Sequence, residues 1–77
     1  MKISILAFGK IADIVPQQEW ELAGMETAGA LRTWLETEYP ALKNLRYRFA
    51  VDKQMAADDA PLRDGSVVAL LPPFSGG

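Results

Sequence analysis

Only one stretch of this chain has the spacing of a helix longer than a turn. Leu31, Trp34, Leu35 and Tyr39 recur at helical intervals, while Arg32, Thr33, Glu36 and Thr37 point the other way. Thr27 offers the side-chain oxygen of an N-cap and Pro40 stops the run, so the pattern predicts a helix from Ala28 to about Tyr39. Gly29 in the first turn weakens its start slightly. Trp34 and Leu35 are read as contacts from this helix to the core.

What surrounds the helix alternates with the period of strands. Lys2–Phe8 places Ile3, Ile5 and Ala7 on one face and Lys2, Ser4, Leu6 and Phe8 on the other. Gly9 breaks it, Lys10 to Val15 reads as one short helical turn, and Pro16 closes that turn. Gln18–Leu22 alternates again and suits a hairpin with the first strand, with Glu19 and Glu21 on a solvated face. Tyr47–Val51 turns Tyr47, Phe49 and Val51 inward. Asp52-Lys53 is a turn and Gln54-Met55-Ala56 a short return strand. Arg63-Asp64-Gly65 is a further turn, and Ser66–Leu71 is the most β-branched and apolar run, hence a central strand. The order β-β-α-β-β-β predicts an α+β fold of the ubiquitin-like β-grasp type: a mixed sheet of about five strands, one main helix across one face, and the last strand parallel to the first. Residues 1–77 are read as a single domain with 72–77 as an extended tail.

Composition excludes much of chemistry. The 77 residues include no Cys and no His, so there is no disulfide, no thiol or imidazole catalysis and no expected metal site. No glycine-rich phosphate loop is present, so no cofactor is expected to bind. A net charge of −2 with both signs interspersed argues against nucleic acid. No apolar run reaches membrane-spanning length and no leader pattern opens the chain, so a cytoplasmic protein with no membrane partner is expected. At 49% hydrophobic residues the chain is too apolar for disorder.

The strand pattern stops at Pro72-Pro73, because two prolines cannot continue a central strand. They favour a stiff extended path, and the six residues Pro72 to Gly77 could reach roughly 20 Å. Gly76 and Gly77 carry no side chains and fit a narrow channel. The terminal carboxylate of Gly77 thereby becomes the one reactive group on offer. A carboxylate is a poor acyl donor, so a partner enzyme must first activate it, most simply as an acyl-adenylate made from ATP. Sulfur can then displace AMP and leave a thiocarboxylate.

Leu70-Leu71-Pro72-Pro73-Phe74-Ser75-Gly76-Gly77 resembles the closing motif of the MoaD/ThiS family of ubiquitin-like sulfur carriers: an apolar pair, Pro-Pro, two variable residues and Gly-Gly. Pro61-Leu62-Arg63-Asp64-Gly65-Ser66-Val67-Val68 is similar to the turn and strand before that motif, with Ser66 where Asp is usual. Phe8 to Val15 and Thr27 to Arg32 are similar to segments of the molybdopterin synthase small-subunit type. The resemblance implies a sulfur carrier of molybdenum cofactor biosynthesis. A ubiquitin-activating-like enzyme would adenylate Gly77. The charged tail would then dock into the large subunit of molybdopterin synthase, which would hold the catalytic side chains. This chain would be a sulfur-donating cosubstrate.

Strand parity puts Leu6, Phe8, Val67, Ala69 and Leu71 on the face away from the helix, an apolar patch if the first and last strands are neighbours. The family resemblance places Phe8, Met55 and Leu71 at docking positions, with Pro72, Pro73, Phe74 and Ser75 along the inserted tail. The competing expectation is that Leu6 and Phe8 pack beneath Lys10 to Val15. Arg46 and Arg48 are read as a solvated face. Other functions consistent with the sequence are a carrier for thiamine or another sulfur product, a ubiquitin-like protein modifier, and a binding module whose tail does no chemistry.

Overall fold

A computed structural model describes residues 1–72; Pro73, Phe74, Ser75, Gly76 and Gly77, assigned to the tail above, lie outside the described residues. Strand β1, Lys2–Ala7, buries Ile3, Ile5 and Ala7 as the alternation requires. A 3-10 turn over Gly9–Asp13 follows and drops Ile11 into the core. Strand β2, Gln18–Glu21, returns antiparallel to β1 in the register Lys2–Glu21, Ile3–Trp20, Ser4–Glu19 and Ile5–Gln18.

Helix α1 spans Ala28–Glu38, capped by Thr27, whose Oγ1 accepts from the Ala30 amide at 3.2 Å. The sequence does not announce the next element, a 3-10 turn over Pro40–Asn44 that buries Leu42 completely. Pro40 ends α1 as expected, and its fixed φ then suits the first position of the new turn. Strand β3 is Arg48–Val51 and β4 is Gln54–Ala56, joined by Asp52-Lys53. Strand β5, Val67–Leu71, is one residue shorter than expected because Ser66 belongs to the preceding turn: its buried hydroxyl accepts from the Arg63 amide at 3.0 Å.

The five strands form one sheet in the order β2-β1-β5-β3-β4, with β5 parallel to β1 and antiparallel to β3. This is the mixed, one-helix β-grasp sheet that the element order predicts. One cluster of buried side chains, including Ile3, Ile5, Leu31, Leu35, Phe49, Val68 and Leu70, fills the space between sheet and helix. Each fully buried aliphatic contributes about 1.5–3 kcal/mol over its exposed state. A sheet covered on one side by a single helix leaves its other side open, and that open side carries the candidate site.

Candidate functional site

The open face follows from strand parity and register. Where β1, β5 and β3 bury Ile5, Val68 and Phe49 on the helix side, their neighbours in sequence turn outward. One row across the sheet joins Leu6 to Ala69, Ala69 to Ala50, and Ala50 to Met55. Below it, Glu19, Ser4 and Val67 form a second row. Asp52 extends that row: its amide donates to the Val67 carbonyl at 2.8 Å, and its Oδ1 accepts from the Val67 amide at 2.9 Å. Above it, Leu71 stands opposite Arg48, and Phe8 comes level with Leu71 one residue past the Ala7–Leu70 pair.

Among the described residues, the exposed large apolar ones belong to this surface: Leu6 at 37%, Phe8 at 45%, Met55 at 55% and Val67 at 38%. A shallow depression of about 270 Å³ is lined by Leu6, Ala50, Val67 and Ala69, with Asp52 and Lys53 at its lip. Phe8 and Leu6 therefore do not pack beneath the 3-10 turn after β1; that turn sends Ile11 and, just beyond it, Val15 to the helix side. An apolar surface of this kind at the centre of a small sheet is what a partner interface requires.

The route out of β5 borders the same surface. The Phe8 amide donates to the Leu70 carbonyl at 3.3 Å, so the strand pairing continues to the exit. Pro72 then lies over Gly9: a Cβ at Gly9 would meet the Pro72 Cγ at 3.4 Å, and Gly9 has φ +62°, which favours glycine. Phe8 and Leu71 thus flank the exit. Met55 shares their face but sits across it, on outer strand β4, beside the Ala50 end of the depression. Arg48 is solvated as expected and stands next to the exit, whereas Arg46 lies before β3 begins. Glu19 and Glu21 are exposed. Ala50 completes the depression and was not singled out in the sequence, although its parity, opposite to that of Phe49, places it there.

The middle of this face is apolar, with Ser4, Glu19 and Asp52 along one border, an arrangement suited to binding. Among the described residues no group of three or more Asp, Glu, His or Cys side chains is placed to hold a metal ion. No helix among them is long and apolar enough to cross a membrane. Among the described residues, the one strongly perturbed titratable group lies on the opposite side of the sheet. Burial, then the Tyr47 hydroxyl donating to Glu36 Oε2 at 2.6 Å, pushes the Tyr47 phenol well above its ordinary range.

The arrangement has counterparts of known structure. The chain superposes on a Pyrococcus furiosus protein assigned as molybdopterin converting factor subunit 1, with 21% identity over 95% of this chain and 98% of that one and a TM-score of 0.84. It superposes on SAMP1 of Haloferax volcanii, a small archaeal modifier protein, with 21% identity over 100% of each chain and a TM-score of 0.77. A third likeness is to a chain in the complex of subunits 1 and 2 of the molybdopterin-converting factor from Helicobacter pylori, with 26% identity over 100% of each chain and a TM-score of 0.69. No curated protein sequence matches the chain. A family model described as the ThiS family matches residues 5–77, from the first strand through both terminal glycines. With a β-grasp sheet, an apolar open face at the tail exit and a family match along nearly its whole length, this protein belongs to the ThiS family.

Proposed function

We propose that this protein is a cytoplasmic sulfur carrier of molybdenum cofactor biosynthesis, with Gly77 as its working group and Gly76 as the thin segment that lets it enter a channel. The observation that carries the reading is membership of the ThiS family through residue 77. In the reaction sequence, the Gly77 carboxylate attacks the α-phosphate of ATP held by an adenylating partner and releases pyrophosphate. A sulfide or persulfide sulfur then attacks the acyl carbon and AMP leaves. A persulfide donor requires a thiol to reduce the resulting acyl disulfide to the thiocarboxylate. The thiocarboxylate sulfur then bonds to a carbon of a precursor pterin in the large synthase subunit with loss of that carbon's leaving group, and water cleaves the acyl–sulfur bond, which restores the Gly77 carboxylate and leaves the sulfur on the pterin.

This chain's own part is to bind and present. Leu6, Phe8, Ala69 and Leu71 supply an apolar docking surface, and Met55 extends it to the sheet edge. Pro72 is seated over Gly9 just past β5, and the partner supplies ATP and the catalytic side chains. The Helicobacter pylori complex, in which subunit 1 is bound to subunit 2, favours a large-subunit partner.

The test is the intact mass of the chain after incubation with ATP, a ubiquitin-activating-like enzyme and a sulfur donor. The expected gain equals the exchange of one oxygen for one sulfur at Gly77, and adding one residue after Gly77 abolishes it. An unchanged mass with a competent activating enzyme would overturn the proposal. Loss of molybdoenzyme activity on gene deletion, with thiamine synthesis intact, assigns the pathway.

The likeness to SAMP1 favours a second reading, a ubiquitin-like modifier. It needs the same activated Gly77 but a lysine amine as acceptor. Gly-Gly remnants on target lysines in digested extracts would establish it.

A further inference from the structure

The outer strand β2 has a second, separate surface. Among the described residues it pairs only with β1, so one side of its backbone faces outward. The Leu22 amide donates to the Met1 carbonyl at 2.9 Å, which fixes the phase of the ladder. In an antiparallel pair, hydrogen-bonded positions alternate with unbonded ones. Trp20 and Gln18 therefore direct their main-chain groups to β1. Glu19 and Glu21 direct theirs, two N–H and two C=O groups, away from the sheet.

The side chains flanking this edge differ by face. Glu19 and Glu21 are both exposed and stand on the open face two residues apart. Glu21 already accepts from the Met1 amino group at 3.1 Å and has Lys2 across from it, whereas Glu19 lies across from the uncharged Ser4. On the helix face the half-buried Trp20 meets Trp34 edge-on at 5.2 Å and Tyr39 at 6.4 Å, which makes an aromatic wall beside the strand.

We infer that the β2 edge receives an extended segment of a protein partner carrying two basic residues separated by one apolar residue. In antiparallel pairing, the two basic residues would lie opposite Glu19 and Glu21. They would exchange main-chain hydrogen bonds with them and set their cations beside the carboxylates. The residue between them turns to the other face and lies against Trp20. Backbone pairing supplies the binding and the alternate side chains supply the selectivity. A second copy of this chain is the wrong occupant for its own β2: antiparallel β2–β2 pairing would set Glu19 and Glu21 of one copy against those of the other, and like charges directly opposite destabilise a sheet. The surface is distinct from the open-face depression and does not involve Gly77.

The test uses the full chain, labelled with nitrogen-15, and a synthetic peptide centred on Lys-Val-Lys. Expected are amide shifts centred on Glu19 and Glu21 and slowed hydrogen exchange at both. Affinity should fall at least about tenfold for Glu19→Lys/Glu21→Lys, and in part for Glu19→Gln, which faces the uncharged Ser4 and should leave the thermal transition unchanged. A peptide N-methylated at a pairing lysine keeps its charge but should lose binding. The inference is overturned by equal binding of a Glu-Val-Glu peptide, by an N-methylated peptide that binds as well, or by shifts that map to Leu6, Ala69 and Met55. Concentration-dependent shifts at β2 without peptide would make the occupant a second copy and overturn it too.

Discussion

Among the described glycines, Gly29 has the least room for a side chain. It stands in the first turn of α1, where alanine would ordinarily be the better helix former. Its amide donates to the Asp58 carbonyl at 2.7 Å, and a Cβ there would stand 3.0 Å from that same oxygen. Gly29→Ala is therefore expected to lower stability by about 1–3 kcal/mol, the usual cost of overpacking, in place of the helix-propensity gain; urea denaturation measures it. The glycine was visible in the sequence as a weak start to the helix. Its reason was not, because Asp58 comes from a distant loop, held to α1 by the Arg32–Asp58 ion pair at 3.1 Å. Tyr47 gives a prediction with a definite sign. Its phenol is raised in the folded state, while an unfolded tyrosine titrates near 10. The stabilisation that comes from keeping it neutral is complete below about pH 10 and drains away as the pH rises above that value. Thermal melts from about pH 9 to about pH 11 should show the native chain losing more stability than Tyr47→Phe.

Among the elements, the β3–β4 hairpin is the clearest case of a local rule met with the wrong residue. Asp52 and Lys53 have φ values of 50° and 73°, the left-handed pair a tight two-residue hairpin demands. Asp52 is offset by its side-chain bond to the Val67 amide. Nothing comparable holds Lys53, so Lys53→Gly is expected to stabilise the chain by about 1 kcal/mol, read as a higher denaturation midpoint with an unchanged slope. Strands and the main helix were legible because their side chains repeat with periods of two and 3.6. The 3-10 turn over Pro40–Asn44 was not, since a turn so short has no period to detect. Its Leu42 is fully buried all the same. The cap at Thr27 is legible because its chemistry is local: the Ala30 amide three residues on donates to the hydroxyl. Ser66 looked like the first residue of β5, yet its hydroxyl is spent on the turn before it.

For the whole molecule, the division into a covered face and an open face determines what can be altered safely. Phe8→Asp places a charge on the open face without touching the core, since Phe8 is 45% exposed. It is expected to weaken binding to the large-subunit partner proposed above by at least tenfold, of the order expected for an interface anchor. Calorimetry measures that loss, while circular dichroism should find the fold intact; an unfolded variant, or one that binds normally, would refute the docking role. Parity puts Leu6, Phe8, Val67, Ala69 and Leu71 on one face, and the parallel β1–β5 pairing brings them together. It could not place Met55, whose position depends on the β3–β5 pairing that brings β4 to the far edge.

The central place of β5 has a mechanical consequence. It lies between β1, running the same way, and β3, running the opposite way, with bonds on both sides. A pull applied along the emerging chain loads those bonds together, as a seam in shear, and does not peel them one at a time. In the role proposed above, a partner that draws on the chain beyond Leu71 should meet a body that holds its shape.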